Sequence, residues 1–300
     1  MSTRKKIIVI LGQTSTGKSD FAVEIAKKIS GEIISADSRQ VYRVMDLGTG
    51  KITKREMRGV PHHLLDVASP KKVFSVSDYK KLTDKKIKEI IKRGKVPILC
   101  GGTGFYIDAV VNGTILPEVA PNAKLRAMLA KKSVVELFKM LKKLDPSRAK
   151  NIDSKNPVRL IRAIEIAKAL GKVPKVKSGT EYDALKIGLT LPDEVLKKRI
   201  YARLLARIKK GMLKEIENLH KSGVSWKRMN ELGLEYRYGA MYLQGKITKK
   251  EMIEKLNTES WQYAKRQKTW FKRDKDTVWI DPRKNKEKLE IFRTVKQFGN

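Results

Sequence analysis

The chain has 300 residues, of which 67 are Lys or Arg and 32 are Asp or Glu, giving a formal charge of +35 at pH 7. One cysteine (Cys100) and three histidines (His62, His63, His220) exclude a disulfide framework and argue against a Cys/His zinc site. A composition of 41% hydrophobic and 33% charged residues suits a folded globular chain with no membrane span, and residues 7–11 are too short for the apolar part of a signal peptide, so a cytoplasmic location is expected. The positive excess reflects either a lysine-rich proteome or a polyanionic partner, whose phosphates release counterions when neutralised by Lys and Arg. Charge alone does not choose among RNA, DNA and an acidic membrane.

In chain order, residues 6–11 form a continuous β-branched apolar run, the mark of a strand buried on both faces. It is followed by Gly12-Gln13-Thr14-Ser15-Thr16-Gly17-Lys18-Ser19 and then by helical spacing over 20–30. This eight-residue stretch matches G-x-x-x-x-G-K-[ST] in the strand–loop–helix context the motif requires. Its glycines let several backbone N–H groups turn toward phosphate oxygens, and the helix that follows adds its positive end. Lys18 would neutralise the terminal phosphates and Ser19 Oγ would ligate Mg²⁺. The loop predicts a bound di- or triphosphate group without naming its carrier.

Residues 32–36 read as a second strand, ending at Asp37 on the sheet edge where open α/β folds bind ligands. Its carboxylate suits metal ligation, a substrate hydroxyl or general-base work, or else an Asx turn capping the residues after it. His62 and His63 fall in an expected loop and point apart, a poor pair for a metal. A long helix over 76–93 leads to a third strand over 96–100, broken by Gly101-Gly102 ahead of Thr103. No aspartate ends that strand, which weakens an ATPase reading, and Cys100 fits a small core residue better than a nucleophile. Alternating strands and helices predict an α/β core with a parallel sheet and right-handed crossovers.

Beyond residue 117 the pattern turns helical over 123–132, 134–144 and 157–170, studded with Lys and Arg, before a further strand over 184–191. This predicts a core of residues 1–118 and 181–300 interrupted by a helical insertion over 119–180, with an almost wholly helical tail from Pro192. Within that tail, residues 261–273 interleave aromatics and cations, among them Lys265 and Arg266, a combination suited to gripping a phosphate backbone and stacking unpaired bases.

With these residues in hand, the chain resembles the tRNA dimethylallyltransferases, the tRNA isopentenyltransferase family, from its first strand to about Arg273. The likeness rests on the phosphate loop, on Ser35-Ala36-Asp37-Ser38-Arg39-Gln40-Val41-Tyr42, on Pro61-His62-His63-Leu64-Leu65-Asp66 and on Gly101-Gly102-Thr103-Gly104-Phe105-Tyr106. Further matches are Asp145-Pro146, Arg159-Leu160-Ile161-Arg162-Ala163 and Ala264-Lys265-Arg266-Gln267-Lys268-Thr269-Trp270. The block around Asp37 and the Lys-Arg-Gln-x-Thr-Trp block together are highly specific.

The resemblance implies a P-loop NTPase-like core with an all-helical insertion that contacts tRNA. It implies transfer of a dimethylallyl group from dimethylallyl diphosphate to N6 of the adenosine immediately 3′ of the anticodon, with Mg²⁺ as cofactor. The implied partners are the diphosphate donor and a tRNA anticodon stem-loop, the implied state a monomer off the membrane. It makes Asp37 the general base and Thr103 a hydroxyl beside the reacting groups, with Arg203 a further diphosphate contact. The implied RNA contacts are Asp37, Ser38, Arg39, Gln40, Thr103 and Arg126, then Val158, Arg159, Leu160, Ile161, Arg162, Lys265 and Arg266. Residues 153–156 and 233–237 depart from the family pattern and bear only on the RNA contacts. Prenylation of free adenosine nucleotides, a small-molecule kinase and an ATP-gated RNA-binding module remain the competing readings, the first disfavoured by the charge.

Overall fold

The computed structural model describes residues 4–113, 117–174, 179 and 181–299. By contacts the chain divides into two compact units, Met1–Gly113 with Thr180–Asn300, and Thr114–Gly179. The first half of the larger unit runs β1 (Lys5–Gly12), α1 (Lys18–Ile29), β2 (Gly31–Ser35), α2 (Lys54–Met57), β3 (His62–His63), α3 (Val76–Lys92), β4 (Val96–Gly101) and α4 (Gly104–Val111). The helical unit holds α5 (Ala123–Leu129), α6 (Val134–Leu144), α7 (Pro146–Lys150) and α8 (Pro157–Leu170). The larger unit resumes with β5 (Tyr182–Leu189), α9 (Asp193–Lys209), α10 (Met212–Lys221), α11 (Trp226–Leu232), α12 (Leu234–Leu243), α13 (Lys249–Phe271), β6 (Val278–Ile280) and α14 (Asn285–Gly299). Among the described residues, no helix is long and apolar enough to cross a membrane.

The six strands form one sheet in the order β3-β2-β4-β1-β5-β6, every pairing parallel. β1 lies at the centre, with Ile8 and Ile10 set beside Ile98 and Cys100 of β4 and beside Leu185 and Ile187 of β5, and its apolar run is explained by burial of both its faces. Because side chains alternate along a strand, Ile7, Val9 and Leu11 face one layer with Tyr79, Ile87, Tyr106 and Phe271. Ile8 and Ile10 face the other, with Phe21, Ile25, Ile291 and Val295. Burial of each such side chain contributes roughly 1.5–3 kcal/mol. The strand order puts β1 between β4 and β5, so the carboxyl ends of β1, β2 and β4 open onto one edge, and the loops after them build the site.

Two short strands differ from the sequence expectation. His62 and His63, expected in a loop, pair in parallel with Ile33 and Ile34, and His63 Nε2 lies 2.6 Å from Glu32 Oε2, where Arg93 also binds. Val278-Trp279-Ile280, inside the tail read as helical, adds the far edge beside β5. Two- and three-residue edge strands carry no period of their own, and pairing with a formed neighbour creates them. The expected strand over 184–191 begins instead at Tyr182, because Lys5 and Lys6 extend the β1 ladder to Tyr182 and Asp183.

The helical unit has its own apolar centre of Leu129, Leu137, Leu141, Leu160, Ala163 and Ile164. Each of its helices starts on a side-chain cap, from Asn122, Ser133, Asp145 and Asn156 respectively. Leu160, one of the implied RNA contacts, is 0% exposed, and its side chain packs α8 into this centre. Val158, at 75%, and Arg159 are the exposed residues of that stretch, while Ile161 is partly buried against the same centre. Arg126 and Arg162 both bind Glu165, which is 2% exposed, and Arg126 does so through two bonds of 2.7 and 2.9 Å. Burial by itself raises the Glu165 carboxyl, but hydrogen bonds from Arg126, the Asn122 N–H and Arg162 outweigh it and bring the pKa down to about 2.

Candidate active site

The phosphate loop leaves β1 at Gly12, whose φ of 139° and lack of a Cβ both matter, since a Cβ there would collide with the Leu189 carbonyl on β5. Inside the loop, Thr16 Oγ1 donates to the Gln13 carbonyl at 2.8 Å and Lys18 Nζ to the same oxygen at 2.6 Å. Gln13 and Thr16 are fully buried: the Thr16 side chain holds the curl, and the Gln13 side chain donates to the Ala264 carbonyl. Gly17 caps α1 in the left-handed region without a side-chain cap, which leaves the first N–H groups of the helix to an anion.

Thr14, Ser15, Gly17, Lys18 and Ser19 line a cavity of about 390 Å³ together with Asp37. Burial lowers the Lys18 ammonium to about 8, further pressed by Arg203 and offset by Cys100 and Asp37. Arg203, from α9, lines the same cavity and donates to the Gly50 carbonyl at 3.2 Å. Burial and the neighbouring Arg207 bring it down to about 10. Among the described residues no carboxylate pairs directly with Lys18 or Arg203, so these two half-buried cations beside an uncapped helix start carry positive potential. A di- or triphosphate group would relieve it.

Asp37 follows β2 and lines this cavity and a second one of about 290 Å³. Its Oδ1 accepts from the Arg39 N–H at 2.8 Å and the Gln40 N–H at 3.4 Å, so the Asx turn foreseen as a structural role is formed. Among the described residues, no hydrogen bond engages Oδ2. Thr103, after β4, is held against this turn: its Oγ1 accepts from the Ser38 N–H at 3.0 Å and donates to Ser38 Oγ at 3.3 Å. Gly101 makes that approach possible, because a Cβ there would strike the Ala36 carbonyl. Cys100 is buried, which pushes its thiol up to about 12, as expected of a core residue.

Ser38, Arg39 and Arg266 line the second cavity, and Gln40 the first. Lys265 lines neither; it is exposed, with Nζ over the Trp261 ring. The implied contacts Arg126, Val158, Arg159, Leu160, Ile161 and Arg162 form a separate group on α5 and α8 of the helical unit. Sequence reasoning missed several lining residues. Arg207 and Glu235, paired at 3.1 Å, line the second cavity. Tyr263 lines both cavities and Gln267 the first. Gln267 stood inside the Lys-Arg-Gln-x-Thr-Trp block, the one signal that could have found it. Arg207 lies one helical turn after Arg203 and carried no motif.

The pattern of the IPP transferase family matches residues 40–274. A protein named tRNA dimethylallyltransferase 2 from Treponema denticola is 45% identical over 288 residues, 94% of this chain and 96% of its own length. The full-length tRNA isopentenylpyrophosphate transferase of Bacillus halodurans superimposes with a TM-score of 0.76 at 37% identity, over 99% of this chain and 97% of that one. A eukaryotic dimethylallyltransferase, described as acting on tRNA, gives 0.75 at 26% identity, over 92% of this chain and 73% of its own. A phosphate loop, a carboxylate and a hydroxyl brought to one sheet edge, carried on a P-loop NTPase-like fold shared with these proteins over nearly their whole length, mean that this chain belongs to the IPP transferase family of tRNA dimethylallyltransferases.

Proposed function

We propose that the chain transfers a dimethylallyl group from dimethylallyl diphosphate to N6 of the adenosine immediately 3′ of the anticodon, releasing diphosphate. The observation that carries this reading is that Asp37 lines both the cavity of the phosphate loop and the adjoining one, so a donor and an acceptor can meet at its carboxylate. The diphosphate takes the loop, with Lys18 and Arg203 dispersing its charge. An adenine amine is a weak nucleophile because its lone pair is delocalised into the ring. As the N6–C1 bond forms and the C1–O bond to diphosphate breaks, Asp37 Oδ2 accepts the N6 proton. Thr103 keeps the Asp37–Ser38 turn in place through its two bonds to Ser38.

Mg²⁺ fits the donor set here: the Ser19 hydroxyl is an exposed hard oxygen at the start of α1, with Asp37 and Glu56 lining the same cavity. When bound it neutralises charge on the departing diphosphate. The +35 charge supports a large polyanion over a free nucleotide as acceptor. Val158, Arg159, Lys265 and Arg266 are the exposed candidates for RNA contact, on a helical unit and on α13. Incubation with an unmodified anticodon stem-loop, dimethylallyl diphosphate and Mg²⁺, in parallel with AMP, tests the reading. Mass spectrometry should find the prenyl group on the stem-loop, and transfer to AMP alone overturns it.

A further inference from the structure

Gln267 lies on α13, far along the chain from the loops it touches, and is only 6% exposed. Both ends of its amide are used. Oε1 accepts from the Thr14 N–H of the phosphate loop at 2.8 Å, and Nε2 donates to the Gly102 carbonyl at 2.8 Å. One turn earlier on α13, the Ala264 carbonyl accepts from Gln13 Nε2 at 3.3 Å. The Gly102 carbonyl immediately precedes Thr103, which holds Ser38 beside Asp37. A Cβ at Gly102 would collide with Gln267 Nε2, so the glycine leaves room for this amide.

We propose that Gln267 is a positioning residue that locks the diphosphate loop to the turn carrying Thr103, setting the distance between the donor's leaving group and the base. This role rests on the prenyl-transfer reading for its reaction, and the contacts that build it are the two amide bonds to Thr14 and Gly102. An amide is required because one end must accept and the other donate. A carboxylate in its place still accepts from Thr14 but sets two acceptors against each other at Gly102. Buried beside a carbonyl, that carboxyl will hold a raised pKa, and on protonation it regains a donor for Gly102.

Inorganic diphosphate, with Mg²⁺, is the probe. Calorimetric titration of wild type and Gln267→Glu at pH 8 should show roughly 5–50-fold weaker binding in the variant, a lost buried hydrogen bond with its repulsion. The ratio should shrink toward unity at pH 5.5, while kcat falls and the KM for tRNA holds. The charged groups that line the same cavity, Lys18, Asp20, Asp37, Glu56, Arg199 and Arg203, are common to both proteins. Amide exchange at Thr14 gives a second measurement, since Gln267→Asn, one methylene shorter, should speed it over wild type. Equal diphosphate affinity in wild type and Gln267→Glu, a defect independent of pH, or unchanged Thr14 exchange in Gln267→Asn overturns the assignment. If the ratio between the two proteins follows pH as stated yet wild type transfers no prenyl group, the functional reading falls and Gln267 stands as the link between the phosphate loop and the Thr103 turn.

Discussion

The phosphate-loop edge and the helical unit treat their polar groups in opposite ways. In residues 117–174 every helix start is capped by a side chain, and Glu165 absorbs two arginines. At the sheet edge, α1 and α4 start without side-chain caps, and Lys18 and Arg203 sit desolvated with their pKa values lowered. A satisfied network stabilises one arrangement; groups left short of partners mark where a ligand completes the count. The arginines of α5 and α8 therefore hold their own unit together before any is counted toward RNA.

Substitutions that cross this divide should have unequal consequences. The largest effect is expected at Asp37: Asp37→Ala should cut prenyl transfer by ~10²–10⁴-fold in single-turnover assays while leaving tRNA affinity nearly intact. Unchanged turnover would remove Asp37 from the chemistry. Next comes Lys18→Met, which should weaken diphosphate binding by roughly 10–100-fold at pH 7 through loss of a charge-assisted bond. The free Lys18 titrates near 8, so it is charged and effective below that pH. The advantage of wild type over Lys18→Met should therefore be full at pH 7 and shrink as the pH rises past 8, and a constant ratio from pH 7 to 10 would contradict it.

Glu165→Gln tests the other side of the comparison. It should destabilise the helical unit by about 1–3 kcal/mol, read as faster amide exchange across residues 117–174, with diphosphate affinity unaltered. Because the Glu165 carboxyl is held at about 2 against an ordinary 4.5, its stabilisation is complete above the unfolded value and is lost as the pH falls from 4.5 toward 2. If the exchange rates of wild type and Glu165→Gln fail to converge on acidification, the network is not what holds that unit. The smallest effect is expected at Cys100. With its thiol pushed up to about 12, alkylation near neutral pH should be negligible in the folded protein, and Cys100→Ala should alter turnover less than about threefold. Rapid labelling would show that the β4 end opens.

Much of this protein was determined locally in the chain. β1 declared itself because a strand covered on both faces must be apolar on both, and the phosphate loop because its backbone curl demands Gly12 and Gly17 with a cation and a hydroxyl following. Helices α6 and α8 were legible to the residue because an amphipathic period and the caps Ser133 and Asn156 are encoded within a few positions. Tertiary structure alone decided the rest. β3 and β6 exist only through pairing with β2 and β5, and Leu160 lies among arginines in sequence yet points to an apolar centre. The Ser38–Thr103 bond beside Asp37 spans 65 positions, and the Gln267–Thr14 bond spans 253. Such bonds depend on where the sheet and α13 place their ends in space, and no local pattern records a distance between residues that far apart along the chain.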